Sequence, residues 1–203
     1  MRIDPASLTV PEVYRLMTAL IVPRPIAWVS TLSAQGAPNL APFSYFMGVG
    51  SNPPALAFSP VNRRDGSKKD TLRNIEDTGE FVVCIVPFRL AAVMNATSAD
   101  LPHGEDEFAH TGLTPAPSEA VKPPGVAESP ARMECRLLRI VPVGEGPLAA
   151  NVVIGQVLRF HLDDEVAPGG LVDAARLDAV ARMGGDLYSR TTDRFELKRP
   201  KSP

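Results

Sequence analysis

The feature that most limits how this chain can fold is the brevity of its apolar runs, nearly all of which end at a proline or a glycine turn. Residues 25–31, 39–49, 55–59 and 80–87 read as extended segments rich in Val, Ile, Phe and Ala. Pro25, Pro38, Pro42, Pro53, Pro54, Pro60 and Pro87 punctuate them, as proline does where a strand starts, ends or lies at a sheet edge. The chain holds 21 prolines in 203 residues, roughly twice the ordinary share. In residues 25–31 the strand period of two places Ile26, Trp28 and Ser30 on one face and Ala27, Val29 and Thr31 on the other. Ser33 to Gly36 reads as a hairpin turn, with Gly36 supplying a positive φ. The next extended run, 39–49, is expected to break at Pro42. Residues 132–141 and 151–162 form two longer strands around a turn at 144–147.

Helical periodicity is confined to short pieces. Residues 10–20 form a lead-in helix, and 71–78 form another, with Asp70 as N-cap and Gly79 as its end. Residues 88–98 carry Leu90, Val93 and Met94 at helical spacing, and a tail helix covers about 174–181. Residues 99–130 are irregular, which in a compact domain marks function or an interface arm. Short strands with regular turns predict a mainly β fold with peripheral helices, an antiparallel and closed or partly closed barrel, rather than a βαβ sheet.

Several function classes fall away. A formal net charge of −2 leaves no basic footprint for nucleic acid. No Gly-x-Gly-x-x-Gly follows a strand, and there is neither a phosphate-loop motif nor a Gly-x-Ser-x-Gly elbow. His103, His110 and His161 lack metal-ligand spacing, and no metal is expected. Cys84 and Cys135 sit apart in apolar runs, as buried reduced thiols do. Residues 1–9 are polar, without the look of a secretory signal. No apolar run nears the roughly 20 residues that span a bilayer. The expected setting is cytoplasmic, off the membrane.

Three motifs in fixed order carry a resemblance. WVST (residues 28–31), NLAPFS (39–44) and KDTLRNI (69–75) resemble the flavin-reductase-like family of FMN-binding split β-barrels, in its flavoredoxin-related branch. The likeness continues through DEFAHTGLTPAPSEAV (106–121), SPARMECRL (129–137) and IGQVLRFHLDDEV (154–166), and weakens towards RMGGDLYSR (182–190). It implies one domain over residues 1–203 with an antiparallel, Greek-key type split barrel. Residues 1–20 lead in, and 167–203 form a tail packing near the site or the dimer partner. It also implies a homodimer whose barrels pair to complete the cofactor site.

The chemistry this family needs can be sought among the residues. An isoalloxazine ring requires hydrogen-bonding groups along its pyrimidine edge, an apolar slab and an anion site. Asn39, Leu40, Ala41 and Pro42, read as a turn, offer backbone groups to that edge; the same residues also fit a plain bulge. Trp28, with Ser30 and Thr31, is placed to line ring and phosphate, although a lone strand Trp serves as readily in a core. For the phosphate the candidates are Ser44, Ser59, Arg63, Arg64, Ser67, Lys69 and Thr71. Lys69 to Thr71 stand at a predicted helix start, where free N–H groups favour an anion; a capped surface helix is the plainer alternative. His161, Arg182 and Tyr188 are the candidate catalytic residues, since the resemblance brings this end of the chain towards the flavin.

The resemblance implies an NAD(P)H-dependent flavin reductase passing hydride through FMN N5 to free flavin or a small-molecule acceptor. A flavoredoxin-type carrier serving an electron-transfer partner protein is a second possibility, as is a reductase of a small activated alkene or carbonyl. A non-catalytic flavin-binding module is a third.

Overall fold

The computed structural model describes residues 1–99, 101, 102 and 104–200. Helix α1 (Val10–Leu20) opens the chain, its start closed by the Thr9 N–H and hydroxyl, which both donate to Glu12 Oε2, a reciprocal cap. Five strands follow: β1 (Arg24–Pro25), β2 (Ala27–Leu32), β3 (Pro38–Phe43), β4 (Phe46–Ser51) and β5 (Pro54–Phe58). Helix α2 (Asp70–Thr78) ends at Gly79, whose φ of 71° is left-handed, a conformation that glycine adopts without steric cost. Strand β6 (Glu80–Cys84), helices α3 (Ala91–Ala96) and α4 (Glu107–Thr111), and the short strands β7 (Pro115–Ala116) and β8 (Gly125–Val126) come next. The chain then runs through β9 (Ala131–Val143), β10 (Ala150–Leu162), α5 (Ala174–Leu177), β11 (Val180–Arg182) and β12 (Tyr188–Arg190).

A seven-stranded sheet in the order β3-β2-β6-β9-β10-β5-β4 organises these elements, and every pair in it is antiparallel. Three hairpins, β2–β3, β4–β5 and β9–β10, are joined out of sequence by β6 and by the β5–β10 pairing, a connection of the Greek-key kind. The sheet curls on itself. Phe43 of β3 and Phe58 of β5 have ring centroids 5.2 Å apart, whereas five strand spacings in a flat sheet would separate them by about 24 Å. Inside the curl, Ala27, Val29, Phe81 and Val153 pack with Leu72 and Ile75 of α2. Outside it, Ile26, Trp28 and Leu40 pack with Met94 of α3 and Phe108 of α4. The alternation read in residues 26–29 therefore holds, and both strand faces are buried.

Four local expectations need correction. The run 39–49 does not break at Pro42, which sits inside β3; the break falls at Ser44 and Tyr45. Strand β3 lies at the sheet edge, and the N–H of Leu40 points away from β2 to Glu107. Pro42 shares that parity, so its missing N–H faces outward and costs no ladder bond. Asp70 does not cap α2; Lys69 holds the cap position, while Asp70 pairs with Arg63 at 3.0 Å and Arg73 at 3.6 Å. The 88–98 helix is a 3-10 turn, Phe88–Leu90, followed by α3. The tail helix stops at Leu177 because Asp178 turns left-handed, with φ 43°. Val180 and Ala181 belong instead to β11, which pairs with β1.

Arg24 fastens the two ends of the chain. The residue is 3% exposed, and its guanidinium donates to the carbonyls of Thr18, Ile21 and Met183 and to the Ser44 hydroxyl. A cation at the last carbonyls of α1 is favoured by the helix dipole.

Candidate active site

Some of the polar residues foreseen in the first third of the chain meet at one place. A cleft of about 80 Å³ lies between the edge strand β3 and the start of α2, with the segment after α3 as its other wall. Asn39, Ala41, Pro42, Arg63, Lys69 and Thr71 line it. A second hollow of about 480 Å³ shares Arg63 and Lys69 and adds Arg64.

The floor is a buried hydrogen-bond network. Asn39 Nδ2 donates to Thr71 Oγ1 at 2.9 Å and to Thr31 Oγ1 at 3.4 Å, and Asn74 Nδ2 donates to Thr31 Oγ1 at 3.0 Å. Each of these groups is inaccessible or nearly so, and their mutual bonds offset the cost of burying them. Asn74 follows Thr71 by one helical turn, so from the same face of α2 Thr71 meets Asn39 of β3 and Asn74 meets Thr31 of β2.

One end of the cleft is cationic and incompletely paired. Arg63 donates one nitrogen to Asp70 at 3.0 Å, yet its Nε is buried without a partner among the described residues. Among the described residues Lys69 forms no ion pair. The first turn of α2 adds outward N–H groups. An orphaned donor, an uncompensated ammonium and a helix start are the donor set of an anion site.

The β3 edge behaves differently from the turn expected there. Residues 39–42 are paired strand, with Leu40 opposite Ser30 and Pro42 opposite Trp28. The outward N–H of Leu40 is taken by Glu107 Oε2 at 2.9 Å, and Pro42 has none. What the edge presents to the cleft side is therefore the carbonyl of Pro42, an acceptor, since Leu40 is fully buried under α4. The Leu40 side chain itself is core.

Other expected residues lie elsewhere. Trp28 is completely buried, its Nε1–H donating to Thr97 Oγ1 at 2.9 Å; it packs beneath the cleft and is no wall of it. Ser30 is equally buried, with its Oγ unpartnered among the described residues, and Thr31 belongs to the floor. Ser44 holds Arg24, and the Ser59 N–H donates to Tyr45 O at 2.9 Å. Ser67 closes a turn on Asp65. His161 is joined to Glu134. Arg182 donates to Tyr188 and to Gly185 O, and Tyr188 donates to Asn95 Oδ1. None of these last three lines the cleft. His103 lies outside the described residues, and His110 is an exposed residue in the last turn of α4.

Glu107 is the residue that the sequence did not single out. It is 8% exposed and lines the cleft. Burial pushes its carboxyl above the ordinary range, the Asp106 and Asp70 carboxylates push the same way, and the Leu40 N–H opposes them. An acid following Asp106 in an irregular stretch looks like any first-turn helix acid, so no local signal marks it. Cys84, a buried thiol, is pushed up to about 12 by desolvation. Among the described residues no three ligating side chains cluster as a metal site, and no helix is long and apolar enough to cross a membrane.

With this geometry in place, the known proteins that share it can be set beside it. Residues 18–180 match the flavin reductase like domain family. The chain belongs to the flavin reductase-like family. Among solved structures it resembles nitrilotriacetate monooxygenase component B from Bacillus cereus, at 40% identity and a TM-score of 0.92, covering 97% of this chain and 98% of that one. It also resembles the 2-nitrobenzoate 2-nitroreductase NbaA of Pseudomonas fluorescens, at 30% identity and 0.87, covering 98% and 96%. A split barrel domain protein of the flavin reductase kind from Shewanella frigidimarina aligns at 25% identity and 0.83, covering 98% and 100%. The curled antiparallel sheet is thus the split barrel of this family. Its cleft residues 39–71 fall within the matched span, whereas Arg182 and Tyr188 lie beyond it.

Proposed function

We propose that this flavin reductase-like protein is an FMN-dependent oxidoreductase that takes hydride from NAD(P)H and passes reducing equivalents to free flavin or a small acceptor. The observation that carries the reading is the meeting, in one cleft, of a cationic end with a strand edge that offers the Pro42 carbonyl. FMN matches both: a phosphate at one end, and an imide N–H on its pyrimidine edge. Lys69, Arg63 Nε and the Thr71 N–H would hold the phosphate, and the carbonyl of Pro42 would accept the imide proton. Bound there, FMN supplies the N5 that accepts hydride, chemistry that belongs to the cofactor. The chain's own work is placement: the network of Asn39, Thr71, Asn74 and Thr31 fixes β3 against α2.

A homodimer is part of the proposal. The cleft is too small to enclose a tricyclic ring, since ligand pockets run to about 300–1,000 Å³. Helix α1 and its cap residue expose Val10, Tyr14, Met17 and Ile21, spaced as one helical stripe, and such a surface marks an interaction face. Light scattering that returns the mass of one chain would count against it.

The test of the cofactor is spectroscopic. Purified protein, or protein given FMN, is yellow, and NADH or NADPH bleaches it without oxygen. A colourless protein that takes up no FMN ends the reading. Similarity to a nitroreductase favours a second reading, reduction of a small organic acceptor over the ring. Bleached protein reoxidised by such an acceptor but not by free flavin selects it.

A further inference from the structure

The acceptor-only edge of β3 leaves a chemical gap. A flavin's pyrimidine edge carries two carbonyls flanking its imide N–H, and the carbonyls need donors that strand β3 does not present, because Glu107 occupies the Leu40 N–H. Asn39 Nδ2, an amide donor lining the cleft, is committed to Thr71 and Thr31. Glu107 itself is buried, lines the cleft, and has no basic partner among the described residues. Its Oε2 is used by Leu40, and among the described residues its Oε1 forms no hydrogen bond, which leaves Oε1 available to the cleft.

We propose that Glu107 is the cleft's hydrogen-bond donor to a flavin carbonyl, acting as a neutral acid that accepts the Leu40 N–H on Oε2 and donates its Oε1–H to the ligand. The proposal rests on the flavin reading above. A protonated carboxyl has one donor and spare acceptor capacity, so both oxygens are satisfied at once. Ionised, Glu107 is acceptor-only, and Oε1 faces a ligand carbonyl with like polarity. The surrounding charges are Asp106 on its own helix, Asp70 and Lys69 at the start of α2, Arg63 in the preceding loop and Glu105 on the cleft wall. Asp70 already takes Arg63, so Arg63 is only partly free to favour the ionised form of Glu107, while Asp106 and Asp70 oppose that form. Burial raises the carboxyl in the same sense.

The consequence is a flavin affinity that falls as pH rises. Riboflavin is the informative probe, because it lacks the phosphate that titrates near pH 6. Its dissociation constant, read by fluorescence quenching, should rise about tenfold between pH 5 and pH 8, the size of effect that one unit of pKa difference between free and bound forms produces. Glu107→Gln keeps an acceptor for Leu40 and a donor for the ligand, so it should bind as the wild type does at pH 5 and hold that affinity to pH 8. Glu107→Met removes both groups and should bind more weakly, again without the pH dependence. A wild-type profile that is flat, or one that the Gln and Met variants share, overturns the proposal while leaving the flavin reading intact. Failure of the wild type to bind either FMN or riboflavin at any pH overturns both.

Discussion

Glu134 Oε1 lies 2.5 Å from His161 Nε2, bridging the paired strands β9 and β10. The same carboxylate accepts the N–H groups of Glu119 and Ala120 at 2.8 and 2.5 Å, so a side chain that is 1% exposed pins the loop after β7 to the barrel. His161 is thereby accounted for as a partner of Glu134 rather than a group at the cleft.

Replacing Glu134 by Gln should destabilise the fold by about 2–3 kcal/mol, the range for losing hydrogen bonds to a buried charged acceptor. The amide would set a donor against the Ala120 or Glu119 N–H. Burial alone would raise this carboxyl, but the two N–H groups and His161 outweigh it and hold it below the ordinary range. A depressed carboxyl stabilises the native state above its ordinary value, and that contribution is lost as pH falls through the folded value. The difference in urea stability between wild type and variant should therefore shrink in acid. A gap that widens in acid would refute this assignment.

Gly155 of β10 has no room for a side chain. A Cβ there would stand 2.3 Å from Phe81 Cζ and 2.9 Å from Cε1, and Phe81 is fully enclosed in the barrel core. Gly155→Ala should cost about 1–3 kcal/mol, as overpacking does. Adding Phe81→Leu should return part of that loss relative to Phe81→Leu alone. Strict additivity of the two in urea denaturation would contradict the contact.

Trp28 is the single Trp of the chain, so its fluorescence reports its own surroundings. Thr97→Val leaves the indole N–H buried and unpaired, a loss of about 1–3 kcal/mol. Wild-type emission should be that of a buried indole and should not respond to iodide. Ready quenching by iodide would place Trp28 at the cleft surface after all.

Lys69 separates the phosphate end of the proposed site from the ring end. Lys69→Met should weaken FMN about tenfold, the order expected for one charge-assisted contact, and leave riboflavin unchanged. Equal loss for both ligands would remove Lys69 from the anion site.

Much of this architecture was legible in local pattern. The period-two alternation of residues 26–29 returned as the outer and inner cores, and Gly36 and Gly79 adopt the positive φ that their turns require. Pro42 was misread because a proline within an extended run signals either a break or an edge, and only the sheet order tells which. Asp70 was misread because its preferred partner, Arg63, lies in a loop whose path local pattern does not record.

The sequence by itself determined the short antiparallel strands and the family, and its candidate residues between 39 and 71 include Asn39, Ala41, Pro42, Lys69 and Thr71 of the cleft lining. Strand period, turn chemistry and helix ends are properties of neighbours along the chain, and they can be read there. Tertiary structure decided which polar residues meet solvent and which are sealed. Trp28 is buried because α3 closes over it with Thr97, 69 residues away, and Glu107 reaches the cleft because α4 covers the edge of β3, bringing it to Leu40 across 67 residues. Burial and hydrogen-bond partnership depend on which distant segments come to lie against a residue, and that is settled only when the sheet closes.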